Sequence, residues 1–229
     1  MPAFPEIASR LDAPLADVMR AQAPTHRLRS DPVDDDTVLA LLGLASSARA
    51  ERRRRCEFIV VRDPDIRHQL ARAYRQGWSI YRRVLRSRSH EDALLEARQW
   101  EADHFEDVPV AIVACVRGRR PIAPAIGAAS FYLTAFSAVQ NLLLAAEALG
   151  LGAVSTTLPL WSTWEARRTL GLPGRVTPVA VVPIGWPRGI ASRPHLPPVA
   201  NLVHLDRWGH QPFRTASALT SAVRESTEN

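Results

Sequence analysis

Residues 131–149 place Phe131, Leu133, Phe136, Val139, Leu142, Leu143, Leu144, Ala145, Ala146 and Leu149 around most of a helical circumference. Thr134, Ser137 and Asn141 form one narrow polar stripe at i, i+3, i+7 spacing. A helix that is apolar nearly all round has to be buried nearly all round. At a rise of about 1.5 Å per residue it runs roughly 28 Å, the width of a small domain. One subunit of this size covers only part of it, and a second copy of the chain is the natural cover. Gly150 and Gly152 follow the last periodic residue, where a left-handed residue closes a helix, and the β-branched Val154, Thr156 and Thr157 then favour extended backbone. Ser162, with Glu165 three residues on, makes a capping box for a short helix ending at Gly171.

The remaining pattern predicts helices near 5–21, 35–47, 64–84, 90–105 and 162–170, and strands near 57–62, 109–116, 153–157 and 178–185. The strands at 109–116 and 178–185 are almost continuously apolar, so helices should cover both faces of the sheet. Pro183 lacks a backbone donor and marks a strand end or an edge. The 229 residues fit one domain over 1–229, with an N-terminal helix in 1–17 and a polar tail in 214–229.

Several function classes are disfavoured. The longest apolar run is broken by Glu147, short of the roughly 20 residues a membrane span needs. The N-terminus has no charged-then-apolar signal pattern, so no membrane is expected and the cytoplasm is the expected compartment. The net charge of +6 invites nucleic acid, yet its densest run, Arg52 to Arg55, would fan over about 300° of a helix and has no interleaved aromatics. A solvated loop or helix end is the simpler account, and no nucleic-acid partner is expected. Cys115 reads as a buried core thiol. Glu101 and His104 have the Glu-x-x-His spacing of bundle metal sites, but there is no second copy, so a solvated helix face is expected and no metal. His204 and His210 lack a third ligand. There is no nucleophile elbow, P-loop or dinucleotide fingerprint, so any redox or transfer chemistry needs a bound cofactor. All 29 basic residues are arginine, so a cation serving that cofactor is Arg or protonated His.

The order of long apolar helix, glycine stop, the strand GAVSTTLPL, capped helix and the strand VTPVAVVPIGWP resembles the dimeric FMN-dependent nitroreductase family over roughly 18–213. The resemblance implies an α+β sandwich, a central mainly antiparallel sheet flanked by helices, in an intertwined homodimer with FMN at its interface. It implies a ping-pong oxidoreductase that takes a hydride from NADH or NADPH and reduces nitroaromatics, quinones or similar acceptors, with no catalytic side chain beyond the flavin. By the same resemblance Ser155, Thr156, Thr157 and Leu158 lie at the flavin ring edge, offering backbone N–H groups. Ser130 reaches the flavin of the other subunit, and Arg193 binds the phosphate.

The N-terminal half departs from the family pattern. Where an arginine-rich stretch is expected, the chain reads Ala23-Pro24-Thr25-His26-Arg27-Leu28, leaving Arg20, His26 and Arg27 as candidates. Where the family has a loop with Pro, Gly, Asn and Trp, the chain has Ser46, Ala48, Ala50 and Cys56, so Ser46 and Ser47 are the candidate contacts there. An alternative therefore stands beside the enzyme: a homodimer of the same fold with weakened or lost FMN binding, acting as a binding or regulatory protein.

Overall fold

The computed structural model describes residues 11–48, 56–85, 92–118, 125–189 and 197–213. Two compact units divide the chain, Met1–Ala191 and Ser192–Asn229. The Arg52 to Arg55 run, Ala50, Arg193 and the 214–229 tail lie outside the described residues.

In the first unit the elements are α1 (Leu15–Ala21), α2 (Asp35–Ser46), β1 (Cys56–Val61), α3 (Pro64–Leu85) and α4 (Asp92–His104). They continue with β2 (Val110–Arg117), α5 (Ala125–Ala148), β3 (Gly152–Ala153), α6 (Thr163–Thr169) and β4 (Val176–Gly185). A 3-10 turn at Phe105–Asp107 extends α4, and another at Leu158–Leu160 precedes α6. The sheet order is β1-β2-β4-β3 and every pairing in it is antiparallel.

β2 and β4 are buried on both faces, and their alternating side chains feed two cores. Ile112, Ala114, Ala180, Val182 and Ile184 pack with Val38 and Leu41 of α2 and with Leu142 and Ala146 of α5. Ala111, Val113, Cys115 and Val181 pack on the opposite face with Leu70, Tyr74 and Trp78 of α3 and with Ala102 of α4. Helices thus cover both faces, as the continuous apolar runs require.

Several local outcomes differ from the sequence expectation. Among the described residues the first helix runs from Leu15, after Pro14, and residues 11–14 are not helical; residues 5–10 of the expected helix lie outside the described residues. α5 starts at Ala125, six residues before the apolar stripe begins at Phe131. β3 has two residues instead of five, because the chain leaves the ladder at Val154 and returns only as a single bridge, Thr156 to Val181. Pro183 is inside β4, an interior strand, paired with Ala111 on the β2 side. Val181 exchanges both backbone bonds with Thr156, at 2.9 and 2.8 Å. Two residues on, Pro183 turns its donor-less nitrogen the same way, into the gap between Ala153 and Thr156. The proline costs no ladder bond there.

Thr134 of the expected polar stripe faces inward instead, its hydroxyl buried without a partner among the described residues. Asn141 does face a neighbouring element, donating to the Leu44 carbonyl at 3.5 Å. Gly150 closes α5 at φ +74, with Leu151 N–H returning to the Ala146 carbonyl at 2.9 Å. The α6 capping is as expected: the Ser162 side chain accepts from Glu165 N–H at 3.4 Å.

α5 is not covered all round by its own subunit. Leu142, Leu143 and Ala146 are buried, whereas Leu133 is 55% and Phe136 52% exposed, and Leu39 on the adjoining α2 is 63% exposed. Leu143 belongs to the subunit's own core, so it reports on folding and not on an interface with a second copy. Leu143→Arg is expected to abolish the cooperative unfolding transition followed by circular dichroism, because the charge has no partner in that core.

Cys115 is buried as expected, and burial pushes its thiol up from the ordinary 9.0 to about 12. The folded state holds a proton that the unfolded chain releases, so this contribution to stability is present below about pH 9 and is lost as pH climbs toward 12. Native Cys115 is accordingly expected to resist iodoacetamide at pH 8.5 and to react on unfolding; mass spectrometry of the 110–117 peptide measures both.

Candidate functional site

The loop that leaves β3 is held at several points. Gly152 and Ala153 pair with Gly185 and Ile184, and Thr156 clasps Val181 in both directions. Leu158 N–H turns back to Thr156 Oγ1 at 3.3 Å, and Leu160 N–H to the Thr157 carbonyl at 3.0 Å. Ser155 and Thr157 are exposed, while Leu158 packs toward the α3 core. Of the three backbone donors expected at 156–158, those of Thr156 and Leu158 are therefore consumed inside the chain. Thr157 N–H has no acceptor among the described residues. A free donor of an exposed residue, on a loop pinned on both sides, is a preorganised hydrogen-bonding point for a ligand.

Segment 25–28 lies along the same strand. Thr25 N–H bonds the Ala153 carbonyl at 3.1 Å, and Leu28 bridges Pro187. A Cβ on Gly152 would come within 2.6 Å of Thr25 Cγ2 and 2.8 Å of Leu28 Cδ2, so only glycine permits this approach. Arg188 N–H bonds the Arg27 carbonyl at 2.9 Å and Arg29 N–H the Trp186 carbonyl at 2.8 Å, which places Arg27 directly opposite Arg188. Both arginines are exposed, and neither has an acidic partner among the described residues. Like charges facing each other on paired strands repel, and an anion between them removes that cost.

The other cationic candidates are engaged. Arg20 on α1 pairs with Asp17 at 3.0 Å, and Arg29 pairs with Asp31 at 2.7 Å. Ala23, where the family pattern has arginine, is buried. His26 turns inward, its Nδ1 2.6 Å from Glu101 Oε2, with side chains only 10% and 4% exposed. This overturns the expectation of a solvated face for Glu101. His104 instead stacks on Trp100, with ring centroids 4.1 Å apart. No metal-binding group of His, Cys, Asp and Glu is present among the described residues.

Ser46 and Ser47 are exposed at the end of α2, where their hydroxyls donate to the Gly43 and Leu44 carbonyls at 2.8 and 2.7 Å. α2 packs on one face of the sheet, whereas Leu158 packs on the other. Ser130 is on α5, which shares the α2 face. The sequence-derived candidates thus form two groups on opposite faces of one subunit. Arg188 is a basic residue that sequence reasoning missed. Its signal, a bridge between Leu28 and Pro187, 159 positions apart, exists only in three dimensions.

In the second unit, the 3-10 turn Val199–Asn201 leads to a tight loop in which Gly209 N–H donates to His204 Nδ1 at 2.9 Å. The His204 ring stacks on Trp208 at 4.2 Å, so this histidine is engaged within its own loop.

Residues 25–186 match the Nitroreductase family model, and the chain belongs to that family. A curated relative from Methanothermobacter thermautotrophicus named "Putative NADH dehydrogenase/NAD(P)H nitroreductase" is 35% identical over 129 residues. That match spans 55% of this chain and 63% of the relative's length. Among solved structures, nitroreductase A from Vibrio parahaemolyticus superposes with a TM-score of 0.65 at 17% identity, covering 92% of this chain and 83% of that one. An oxidised iodotyrosine deiodinase bound to FMN and 3-iodo-L-tyrosine gives 0.64 at 20% identity, covering 86% and 99%. The NADPH:FMN oxidoreductase from Vibrio harveyi complexed with NAD+ gives 0.62 at 17% identity, covering 92% and 85%. These likenesses establish the α+β nitroreductase fold.

The described residues fit a phosphate-bearing planar ring at two points. Thr157 N–H offers the ring-edge donor, and the unpartnered Arg27 and Arg188 offer cations for an anion.

Proposed function

We propose that the chain is an FMN-dependent oxidoreductase that accepts a hydride from NADH or NADPH and delivers it in ping-pong order to a nitroaromatic, quinone or similar acceptor. It works as a homodimer, with 1–229 as one functional domain, in the cytoplasm. The observation that carries the reading is the N–H of the exposed Thr157, without an acceptor among the described residues, on an anchored loop in a chain of this family. The names of the deiodinase bound to FMN and of the Vibrio harveyi NADPH:FMN oxidoreductase support the choice of cofactors. No described helix is long and apolar enough to cross a membrane.

Bound FMN supplies the hydride-accepting and hydride-donating chemistry, and the protein supplies position and charge. Thr157 N–H stabilises negative charge at the ring edge, with the Ser155 and Thr157 hydroxyls beside it. Arg27 and Arg188 hold the phosphate, which carries about −1.5 to −2 at neutral pH and needs cations once removed from water, and the family resemblance gives Arg193 the same role. Arg20, tied to Asp17, is a weaker helper, and His26, turned inward onto Glu101, steadies segment 25–28 without touching the phosphate. Ser46, Ser47 and Ser130, on the opposite face of the subunit, serve the flavin held by the partner. The half-exposed Leu133 and Phe136 are the surface that a partner covers.

The second reading, a dimer of this fold that has lost the flavin, draws on the buried Ala23 and the Asp17-bound Arg20, which leave fewer cations than the family pattern supplies.

A comparison of FMN with riboflavin separates phosphate from ring contacts. Arg193→Ala is expected to weaken FMN by about 2–4 kcal/mol, as truncating one partner of a buried charge pair does. Riboflavin affinity should stay unchanged and the dimer intact. An Arg193→Ala protein that keeps full FMN occupancy after dialysis contradicts this placement of the phosphate. Assembly has its own test: Phe136→Arg is expected to give a folded monomer by light scattering that no longer retains FMN. A wild type that is monomeric at micromolar concentration sinks the two-subunit site.

A further inference from the structure

The pair formed by His26 and Glu101 is unusual for its burial. The Glu101 carboxyl group and the His26 imidazole are withdrawn from water almost completely, and removing either partner leaves the other buried without its hydrogen-bond partner. The two residues are 75 positions apart, and their 2.6 Å contact fastens segment 25–28 to α4. Glu101 Oε1 is buried and makes no hydrogen bond of normal geometry among the described residues. The neighbouring polar group is the hydroxyl of Tyr74, itself fully buried and held edge-on against Phe105 with ring centroids 5.5 Å apart. That hydroxyl interacts with both Glu101 and Thr156, and burial raises its pKa with the Glu101 charge adding to the rise, so it remains a neutral hydroxyl. Arg98 also acts on Tyr74 from α4.

The same cluster reaches the ring-edge loop from two sides. Segment 25–28 is bonded to Ala153 at the start of the loop, and Thr156, beside Tyr74, carries the clasp to Val181 and the bond from Leu158 N–H. Tyr74 and Glu101 belong to α3 and α4, which contribute no exposed ring-edge donor themselves.

We infer that His26, Glu101 and Tyr74 form a buried positioning cluster that fixes the 155–158 loop so that Thr157 N–H is aimed outward at the flavin ring edge. The inference rests on the flavin reading for its purpose, but the fixing of the loop is a property of the polypeptide alone. The cluster touches neither substrate nor cofactor and acts through Thr156. It belongs to the ring side of the site, so its removal affects ring binding and leaves phosphate selectivity alone.

Hydrogen exchange of the full-length protein without flavin tests the fixing directly. Tyr74→Phe keeps the edge-on ring contact and removes only the hydroxyl. Exchange in the 153–160 peptide is expected to accelerate about tenfold, with exchange in the 110–117 peptide unchanged. Glu101→Ala is expected to loosen 153–160 further, and Glu101→Gln, whose amide oxygen still accepts from His26, to restore much of the protection. Titration with FMN and riboflavin then tests the purpose: Tyr74→Phe should weaken both by the same factor, about tenfold, whereas Arg27→Ala should weaken FMN only. Folded Tyr74→Phe and Glu101→Ala proteins with wild-type exchange in 153–160 overturn the cluster. A faster-exchanging loop with unchanged affinity for both flavins overturns its positioning role while leaving the flavin reading intact. A wild type that binds neither flavin defeats the flavin reading, and with it the aim at a ring edge, whatever the exchange shows.

Discussion

The antiparallel ladder between β2 and β4 is the constraint on which the rest of the unit depends. Because both strands are buried on both faces, every second side chain has to find a helix above the sheet and every other one a helix below it. α2 and α5 answer on one face, α3 and α4 on the other. The ladder also decides where the site is. β4 is longer than β3: Val181, ahead of the short β3 pairing, receives Thr156, and Pro187, two residues past the end of β4, receives Leu28. Both pieces of the candidate site are thus attached to one strand and its immediate continuation, in keeping with the need to hold binding groups on a scaffold that does not yield.

In the flavin reading proposed above, that attachment makes one subunit an incomplete site. The ring-edge donor and the Arg27 and Arg188 pair ride on β4 and its neighbours, while Ser46 and Ser47 end a helix on the far face. A flavin that touches both groups has to be reached by two copies. The uncovered Leu133 and Phe136 point to the same arrangement from packing alone, since a half-exposed apolar stripe on a long helix is relieved by association.

Much of this was legible in the sequence where the signal is periodic. The long apolar helix, the two continuously apolar strands, the Gly150 stop and the Ser162 cap all rest on local rules that the structure obeys. The failures share a cause: each depends on a partner distant in sequence. Thr134 reads as part of a polar stripe until tertiary packing turns it inward. Glu101 reads as a surface acid because nothing nearby in sequence announces His26. Pro183 reads as a strand terminus because the gap that accommodates it belongs to another strand. Thr156 and Leu158 lose their expected availability to bonds that only the folded loop creates, and Arg188 gains significance only when it faces Arg27.

The most direct measurement of the account is the visible spectrum of the purified full-length protein, recorded anaerobically before and after addition of NADH or NADPH. The account requires a yellow protein with FMN retained through dialysis, whose flavin absorption bleaches with either donor and returns when a quinone is added. A colourless protein that takes up no FMN on titration would contradict it and leave a nitroreductase fold without its redox chemistry.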